Sequence, residues 1–427
     1  FKQKTAYEIM PSLVGSEMCI RDRGNMVSNP PTPSLQGALS FASDLIKLPS
    51  LSGNERDVAK RLWEEMQFLG FEQMRVDEVG NVMGVIPGEG HAPPVMFNCH
   101  LDIVAEGDHS EWDHAPFGGD ITDGFLHGRG SMDIKGPLAL QTHVAASMRG
   151  KCKGDLIVAH TVFEECGGWG MQHLMESKVL EPALVIIGEA TDGDICIGHR
   201  GRAELEVIVT GLAGHASAPE RAKNPLDILP KVLAGIEQVK NNQEEDPLLG
   251  ESTLVVTDVS VTPESKNVIP DRMEIVLDWR ILPHMEQDFL VKQVSDAINS
   301  HLGDGVKGYG LEVVTATETQ RAYTGVTRKR DTFTPGFMMD PSDTLIRSAA
   351  KAVGKQEGSG LADVRPWAFA TDGGWTHGVF GIPTLGFAPG KESFAHTNTE
   401  RLSVEDARWA FKRHPDLVLA IQDGLSS

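Results

Sequence analysis

The chain has 427 residues, which is longer than a single hydrophobic core usually supports, so at least two domains are expected. Its 40% hydrophobic and 23% charged residues are typical of a soluble globular protein. A formal charge of −21 argues against nucleic acids and anionic membranes as partners, and no apolar run is long enough for a membrane span. The five cysteines form no CxxC pair, which favours reduced thiols and a cytoplasmic location.

The first 25 residues differ from the rest of the chain. Residues 1–25 have neither helical nor strand periodicity, and they lack the apolar stretch of a signal peptide. Part of this segment resembles translated sequencing-adapter sequence. We therefore predict that residues 1–25 are a non-native leader and that the native chain begins at Met26. A disordered native leader is the alternative.

The next seventy residues alternate between helical and strand patterns. Apolar residues at helical spacing indicate two amphipathic helices, and two strand patterns flank a turn at Gly80. A short apolar run follows and is typical of a buried strand. The predicted elements are helices at 34–48 and 54–69 and strands at 71–76, 81–86 and 93–97.

His100 and Asp102 directly follow the apolar run at 93–97. Alternate residues of an extended segment share a face, so the two side chains should point the same way. A carboxylate beside an imidazole holds a metal-binding histidine in one tautomer. We therefore predict that His100 is a metal ligand and that Asp102 supports it. A surface His–Asp pair after a core strand is the alternative.

A glycine-rich stretch at 125–136 carries Asp133. It contains neither GxGxxG nor GxxxxGK[ST], so dinucleotide and phosphate loops are excluded. Asp133 instead lies at a predicted turn into a helix at 137–148, and a carboxylate in such a turn can point into a site.

Two further predicted strands end in carboxylates. The strand at 155–163 is followed by Glu164 and Glu165, and the strand at 184–187 is followed by Glu189. Adjacent carboxylates after a buried strand are costly unless a positive group lies near, and a metal is the simplest such group. A solvated acidic turn is the alternative. Because ligands bind at the carboxyl ends of parallel strands, we predict an open, mostly parallel α/β sheet flanked by helices.

The pattern changes after Arg200. Strand and helix patterns alternate in the order βαββαβ, which resembles a ferredoxin-like insert. Its predicted strands are 202–210, 253–261, 273–282 and 311–315, and its predicted helices are 225–240 and 286–302. The resulting division is a catalytic domain at 26–199 and 321–427, interrupted by the lid at 200–320.

The last hundred residues return to the first domain. Residues 321–339 have no firm period and are expected to cross back, and a strand is predicted at 367–371. His396 follows a further strand at 383–387, and an amphipathic helix begins near Ser403.

The side chains singled out so far form one ligand set. Imidazoles with several carboxylates suit zinc, with cobalt or manganese as substitutes, and a bridging carboxylate would allow two ions. A carboxylate that is not a ligand can then shuttle a proton from water to the leaving nitrogen. The set is His100, Asp133, Glu164, Glu165, Glu189 and His396.

From about Met26 to its end, the chain resembles the dinuclear zinc amidohydrolase and peptidase family of acetylornithine deacetylase, succinyl-diaminopimelate desuccinylase, aminoacylase and carboxypeptidase G. The matching pieces occur in the same order along the chain. They are His100-Leu101-Asp102, Trp112 to Phe117, Gly128 to Gly136, Glu164-Glu165, Gly188-Glu189, Gly214-His215, Asn267 to Pro270, Asp278-Trp279-Arg280 and His396, the last followed by Asn398 and Glu400.

The resemblance implies a role for each metal-site residue. His100 and Glu189 would hold one metal, Glu165 and His396 the other, and Asp133 would bridge them. Glu164 would be the general base and then the acid, and Asp102 would support His100.

The resemblance also implies three roles in the lid. His215 would reach the partner subunit's active site and stabilise the oxyanion, which implies a homodimer. Arg280 and Asn267 would bind the substrate's carboxylate and carbonyl. The alternatives are a surface histidine in a Gly-rich turn and an ordinary salt bridge on a strand. Relatives often carry an arginine near the position of Gly374, so this chain departs from the pattern there.

The predicted function is metal-dependent hydrolysis of an N-acyl amino acid amide, as in a deacetylase or desuccinylase. A dipeptidase or carboxypeptidase with the same site is one alternative. An inactive metal-binding relative that acts as a binding protein is another, and the presence of Glu164 argues against it. A serine hydrolase is unsupported because no GxSxG occurs.

Overall fold

The structure is a computed structural model that describes residues 30–303 and 307–426. The leader predicted at residues 1–25 lies outside the described residues, so it stays a prediction. Among the helices of the described residues, none combines the length and the apolar character that crossing a bilayer requires.

The helices begin where the sequence offers caps. The hydroxyl of Ser34 accepts a hydrogen bond from the N–H of Gly37, and Ser403 does the same for Asp406, so each satisfies a helix N–H that has no partner within its helix. In the described residues the α-helices are α1 (Leu35–Ile46), α2 (Arg56–Phe68), α3 (Lys135–Ser147), α4 (Trp169–Ser177), α5 (Leu229–Lys240), α6 (Gln287–Leu302), α7 (Thr344–Val353) and α8 (Val404–Leu425).

The strands of the first half include those that lead into the predicted site. They are β1 (Glu72–Val76), β2 (Val82–Ile86), β3 (Val95–Asn98), β4 (Ile121–Thr122), β5 (Phe125–His127), β6 (Leu156–His160), β7 (Leu184–Ile187), β8 (Ile195–Cys196), β9 (Gly198–His199), β10 (Gly201–Thr210), β11 (Gly214–His215) and β12 (Glu245–Asp246).

The strands of the second half complete the lid and return to the first sheet. They are β13 (Gly250–Glu251), β14 (Thr253–Thr262), β15 (Val268–Ile269), β16 (Arg272–Ile281), β17 (Gly310–Thr315), β18 (Thr317–Arg321), β19 (Thr327–Asp331), β20 (Phe333–Thr334), β21 (Phe337–Met338), β22 (Val364–Arg365), β23 (Thr384–Gly386) and β24 (Arg401–Ser403).

The larger sheet has the strand order β1-β2-β6-β3-β7-β23-β8-β22. Its centre, β6-β3-β7-β23, is parallel, whereas β1, β2 and β6 pair antiparallel at one side. The strands β3, β6 and β7 are buried at every position, as expected for parallel strands covered by helices. The predicted α/β class, with an open and mostly parallel sheet, is confirmed.

The second sheet has the order β14-β16-β10-β17 and is antiparallel throughout. With α5 and α6 it encloses its own apolar core, centred on residues such as Trp279 and Ile298. This is the predicted βαββαβ arrangement, and we call these elements the lid. The domain limits stay a prediction, and the limit at residue 320 falls within β18.

Two expectations for the C-terminal third were wrong. Residues 317–331 form a hairpin, β18–β19, which the sequence hid because polar residues occupy both of its faces. The segment 367–371 is not a strand. Trp367 is buried there because its indole N–H donates to the carbonyl of Ala190 and its ring covers Gly386, so burial rather than strand pairing explains the apolar run.

Candidate metal centre

The predicted ligands follow neighbouring strands of the larger sheet. β6, β3 and β7 are parallel neighbours, so their carboxyl ends meet at one edge. His100 follows β3 and pairs with Thr161 across a parallel bridge. Glu164 and Glu165 lie on a short 3₁₀ turn after β6, and Glu189 lies just past β7. Three strands therefore bring four of the predicted side chains to one place.

His100 is 1% exposed and faces carboxylates with its Nε2 atom. Nε2 lies 3.2 Å from Oδ1 of Asp133, 3.2 Å from Oε1 of Glu189 and 3.8 Å from Oε2 of Glu164. Nδ1 lies 2.8 Å from the backbone carbonyl oxygen of Asp102. A carbonyl only accepts, so Nδ1 carries a proton, and Nε2 is the ring atom that would be free to bind a metal.

Asp102 supports this arrangement in two ways. Its carbonyl orients His100, whereas its carboxylate is 3.5 Å from the imidazole. The carboxylate accepts hydrogen bonds from the backbone N–H groups of Glu164 and Glu165, at 3.1 Å each, and from the hydroxyl of Ser52 at 2.6 Å. Asp102 therefore holds both His100 and the turn that carries the two glutamates.

Asp133 lies between two imidazoles. Its Oδ1 is 3.2 Å from Nε2 of His100, and its Oδ2 is 3.2 Å from Nε2 of His396. The same atom of His396 is 3.2 Å from Oε1 of Glu165. A carboxylate with one oxygen toward each histidine has the placement of a bridging ligand.

The charges in this group are unbalanced. Burial, with the nearby charge of Asp133, raises the pKa of Glu189 to about 7. Burial also raises the pKa of Glu164 well above its usual range, against the opposing pull of His100. Hydrogen bonds to Asp133 and Glu165 raise the pKa of His396 to about 10. The carboxylates therefore lack sufficient positive charge, which a cation would supply.

The donor set fits divalent cations. Its oxygen and imidazole ligands are those of zinc. Two groups that share His100 each have their ligand atoms within 4.8 Å of one another: one adds Asp133 and Glu165, the other Glu164 and Glu189. In the described part of the chain, the ion-pair partners of Glu165 and Glu189 are histidines, so no lysine or arginine takes the cation's place. We call the set the acid–imidazole cluster: His100, Asp133, Glu164, Glu165, Glu189 and His396.

A cleft of about 380 Å³ separates this cluster from the lid. Glu164 and Glu165 line one wall, and Arg280 lines the other. Arg280 is half-exposed, and its Nε donates to Asp278 at 3.0 Å. The structure therefore brings one predicted lid residue to the same cleft as the cluster.

A sequence profile described as peptidase family M20/M25/M40 matches residues 96–419. The chain belongs to this family. The resemblance drawn from the sequence motifs is confirmed, and the family identifies the chain as a metal-dependent hydrolase that acts on amide bonds.

Relatives and a solved structure extend the match over most of this M20 chain. It is 29% identical to the uncharacterized protein YgeY of Escherichia coli K12 over 84% of its own length and 88% of that protein. It is 30% identical to succinyl-diaminopimelate desuccinylase 2 of Ruegeria sp. TM1040, covering 60% of this chain and 68% of that one. The YXEP protein of Bacillus subtilis, described as a dinuclear metal binding peptidase, aligns with a TM-score of 0.66 at 15% identity, covering 91% of this chain and 98% of that one.

Two predicted lid residues lie away from the acid–imidazole cluster of this M20 chain. His215 is exposed on β11, where its Nδ1 accepts a hydrogen bond from the N–H of Ser217 at 3.1 Å. Asn267 is exposed beside it, and its carbonyl accepts a bond from Ala216 at 3.1 Å. In the described residues, the hydrogen bonds of both stay on or next to this small β11–β15 ribbon.

Sequence reasoning gave Glu400 no role, yet it fixes Asp133. Its buried carboxylate accepts from the N–H groups of Met132 and Asp133, at 3.1 and 3.0 Å. Its other oxygen is 2.7 Å from the guanidinium of Arg129. The available signal was the position of Glu400 in the motif that begins at His396, but its partners lie far away in sequence.

Asp372 was also overlooked. It lines the cleft, accepts a 2.6 Å hydrogen bond from the hydroxyl of Thr161, and has a pKa raised to about 6, chiefly by burial. At the neighbouring Gly374, a Cβ would lie 1.9 Å from the carbonyl oxygen of Pro335. No side chain fits at that position in this backbone.

Proposed function

We propose that the chain hydrolyses the amide bond of N-acyl amino acids, as a deacetylase or desuccinylase does. The observation that carries the proposal is the position of Asp133 between two imidazoles, with Glu164 only 3.8 Å from one of them at the mouth of a cleft. The desuccinylase relative, at 30% identity, supports an acyl amino acid as the substrate class.

Two zinc ions are the proposed cofactors, with cobalt or manganese as substitutes. His100 and Glu189 would hold one, Glu165 and His396 the other, and Asp133 would be shared. When bound, such a pair supplies Lewis acidity and a water that ionises near neutral pH.

Glu164 would carry the proton. Its side chain is 12% exposed and lines the cleft, and burial raises its pKa, which strengthens the carboxylate as a base. It would take the proton from the attacking water and return it to the amide nitrogen as that nitrogen leaves. Asp102 keeps Glu164 in place through its backbone N–H.

Arg280 would bind the carboxylate of the substrate. Its Nε is engaged by Asp278, and its remaining N–H groups suit a planar carboxylate. Asn267 would bind the substrate's carbonyl.

We further propose a homodimer through the lid, in which His215 serves the partner's site. In the described residues the side chain of His215 hydrogen-bonds only to Ser217, which leaves its Nε2 available for such a role. β14 is the outermost strand of the lid sheet and exposes Val255 and Val259, at 52% and 42%. An apolar edge strand of ten residues is a surface that a second copy can cover.

A peptidase is the second candidate, because the family description and the neighbouring structure are those of peptidases. The cluster serves either reaction, since both break an amide with an activated water. An inactive relative acting as a binding protein is the third candidate, and the placement of Glu164 in the cleft speaks against it.

One experiment separates these candidates. Wild type, Glu164→Gln and the surface control Glu181→Gln are loaded with zinc or cobalt and assayed on N-acetyl and N-succinyl amino acids and on dipeptides. We expect Glu164→Gln to lose roughly 10²–10⁴-fold in kcat with its metal content unchanged, and Glu181→Gln to behave as wild type.

Each other outcome removes part of the proposal. Hydrolysis of dipeptides alone would favour the peptidase. No hydrolysis by wild type of any substrate would favour the binding protein, and full activity of Glu164→Gln would remove its assignment as the base.

A further inference from the structure

The hairpin β18–β19 connects the lid to the catalytic sheet. Its base is bonded to the lid strand β10, since Ala316 donates to the carbonyl of Glu204 at 2.8 Å and Glu204 donates to Thr332 at 3.0 Å. Its tip is bonded to the catalytic domain, where the hydroxyl of Tyr323 donates to the carbonyl of Gly80 at 2.8 Å. The hairpin therefore spans the cleft that holds the acid–imidazole cluster.

Arg330 lies on this hairpin and reaches the turn that carries the proposed base. It is 6% exposed. Its Nη2 donates to the carbonyl of Gly167 at 3.2 Å, and its Nη1 is 3.4 Å from the carbonyl of Cys166. The same guanidinium donates to Gln172 at 2.7 Å and to Gln320 at 3.0 Å, so a set of acceptors fixes it.

Gln320, on the other strand of the hairpin, also holds the turn. Its amide donates to the carbonyl of Cys166 at 2.7 Å, and the indole of Trp375 donates to Gly167 at 2.9 Å. Both carbonyls at the end of the turn are thus held from outside the turn.

The turn at residues 163–168 needs such support. Phe163 has φ of 58°, a conformation that few non-glycine residues adopt, and Gly167 and Gly168 also have positive φ, at 90° and 72°. On one side its N–H groups donate to Asp102, and on the other its carbonyls accept from Arg330. Backbone of this kind keeps its shape only when its surroundings determine it.

We propose that Arg330 is a positioning residue, which fixes Glu164 and Glu165 by holding the carbonyls of the turn that carries them. This inference rests on the proposed function, in which Glu164 is the base. A guanidinium suits the task because its planar fork bonds several carbonyls at once, whereas an ammonium is a single point charge. Because the hairpin is also bonded to β10, Arg330 sets the position of Glu164 relative to the lid wall with Arg280.

The test compares Arg330→Met and Arg330→Lys with Arg328→Met. Arg328 lies on the same hairpin but its side chain is 40% exposed and is paired with Glu176 at 3.0 Å, so it is a matched control. A misplaced catalytic group costs up to about 100-fold, so we expect Arg330→Met to lower kcat roughly 10–100-fold. KM should change less than about twofold, because substrate binding is not removed.

Further measurements exclude a merely structural effect. With the metal in excess, the metal content per chain should reach the wild-type level in every variant, so that a loss of kcat reports on Glu164. Arg330→Lys should recover part of kcat, since its ammonium can bond one carbonyl. Amide hydrogen exchange should rise at residues 163–168 in Arg330→Met, with little change elsewhere and none in Arg328→Met.

The proposal is overturned if Arg330→Met matches Arg328→Met in both kcat and exchange. It is equally overturned if exchange rises uniformly and the melting temperature falls, since Arg330 would then only stabilise the fold. If Arg330→Met does not fold, Arg330→Lys decides by the same two measurements. If wild type hydrolyses no amide, the proposed function fails, and the exchange at residues 163–168 still decides whether Arg330 holds the turn.

Discussion

The catalytic domain and the lid hold their proposed functional groups in different ways. In the catalytic domain, His100 is 1% exposed and lies within 3.8 Å of three other members of the acid–imidazole cluster. On the lid, His215 is exposed, and its side-chain partner is Ser217, two residues along the chain. The acid–imidazole cluster is therefore organised within one protomer, whereas the roles proposed for the β11–β15 ribbon require a substrate or a second copy.

The largest effect should come from Asp133, at the centre of the acid–imidazole cluster. Asp133→Asn removes the charge that both imidazoles share, so we expect it to lower metal affinity at least about 100-fold and to abolish turnover. Asp120→Asn is the control, because this carboxylate is exposed in the same domain. Metal per chain after dialysis is the measurement, and full occupancy in Asp133→Asn would contradict the bridging assignment.

A smaller effect is expected from the lid. His215→Ala should lower kcat by roughly 10²–10³-fold, as for a lost transition-state hydrogen bond, and leave metal content intact. Ser217→Ala is the control, because it removes only the local partner. Loss of metal from His215→Ala would show that this histidine is a metal ligand.

Mixing the two low-activity variants, Glu164→Gln and His215→Ala, then tests whether His215 acts in the active site of the partner subunit. If His215 serves the partner, a dimer of Glu164→Gln with His215→Ala has one complete site, and random mixing should restore about a quarter of wild-type activity. If His215 acts within its own chain, the mixture should stay as inactive as its components.

The sequence was informative where a local pattern is enough. The strands before His100, Glu164 and Glu189 are short apolar runs, and the acidic or imidazole group past each end could be read directly. The βαββαβ order of the lid was predictable for the same reason, because its strands and helices each carry their own periodicity.

What escaped the sequence depends on contacts between distant residues. Glu400 accepts a hydrogen bond from Arg129, which is 271 positions away in the sequence, and no local pattern around either residue predicts this pair. The hairpin that carries Arg330 is polar on both faces, so it has no alternation to detect. Gly374 could be recognised as a departure, but only the carbonyl of Pro335 explains why no side chain occupies that place.

The same contrast between buried and exposed charges recurs far from the cleft, and it gives the smallest expected effect. Glu65 on α2 is 7% exposed and accepts hydrogen bonds from His143 and Arg61, at 2.8 Å each. Its neighbour Glu64 is exposed and lies 3.9 Å from Lys60. Burial alone would raise the pKa of Glu65, but the two hydrogen bonds outweigh it and lower that pKa below its ordinary value of 4.5.

The sign of the pH dependence follows from that lowered pKa. The ionised form of Glu65 stabilises the fold above pH 4.5, and the contribution is lost as pH falls through the lower folded-state pKa. At neutral pH, Glu65→Gln should therefore reduce the free energy of unfolding by roughly 1–3 kcal/mol, the range for hydrogen bonds to a charged group. Glu64→Gln should change it by less than about 1 kcal/mol, because an exposed pair contributes little.

Thermal unfolding of the three proteins between neutral and acidic pH is the measurement. The gap between wild type and Glu65→Gln should close in acid. A gap that stays constant or widens would mean that Glu65 stabilises α2 by packing, and that its charge has no part in it.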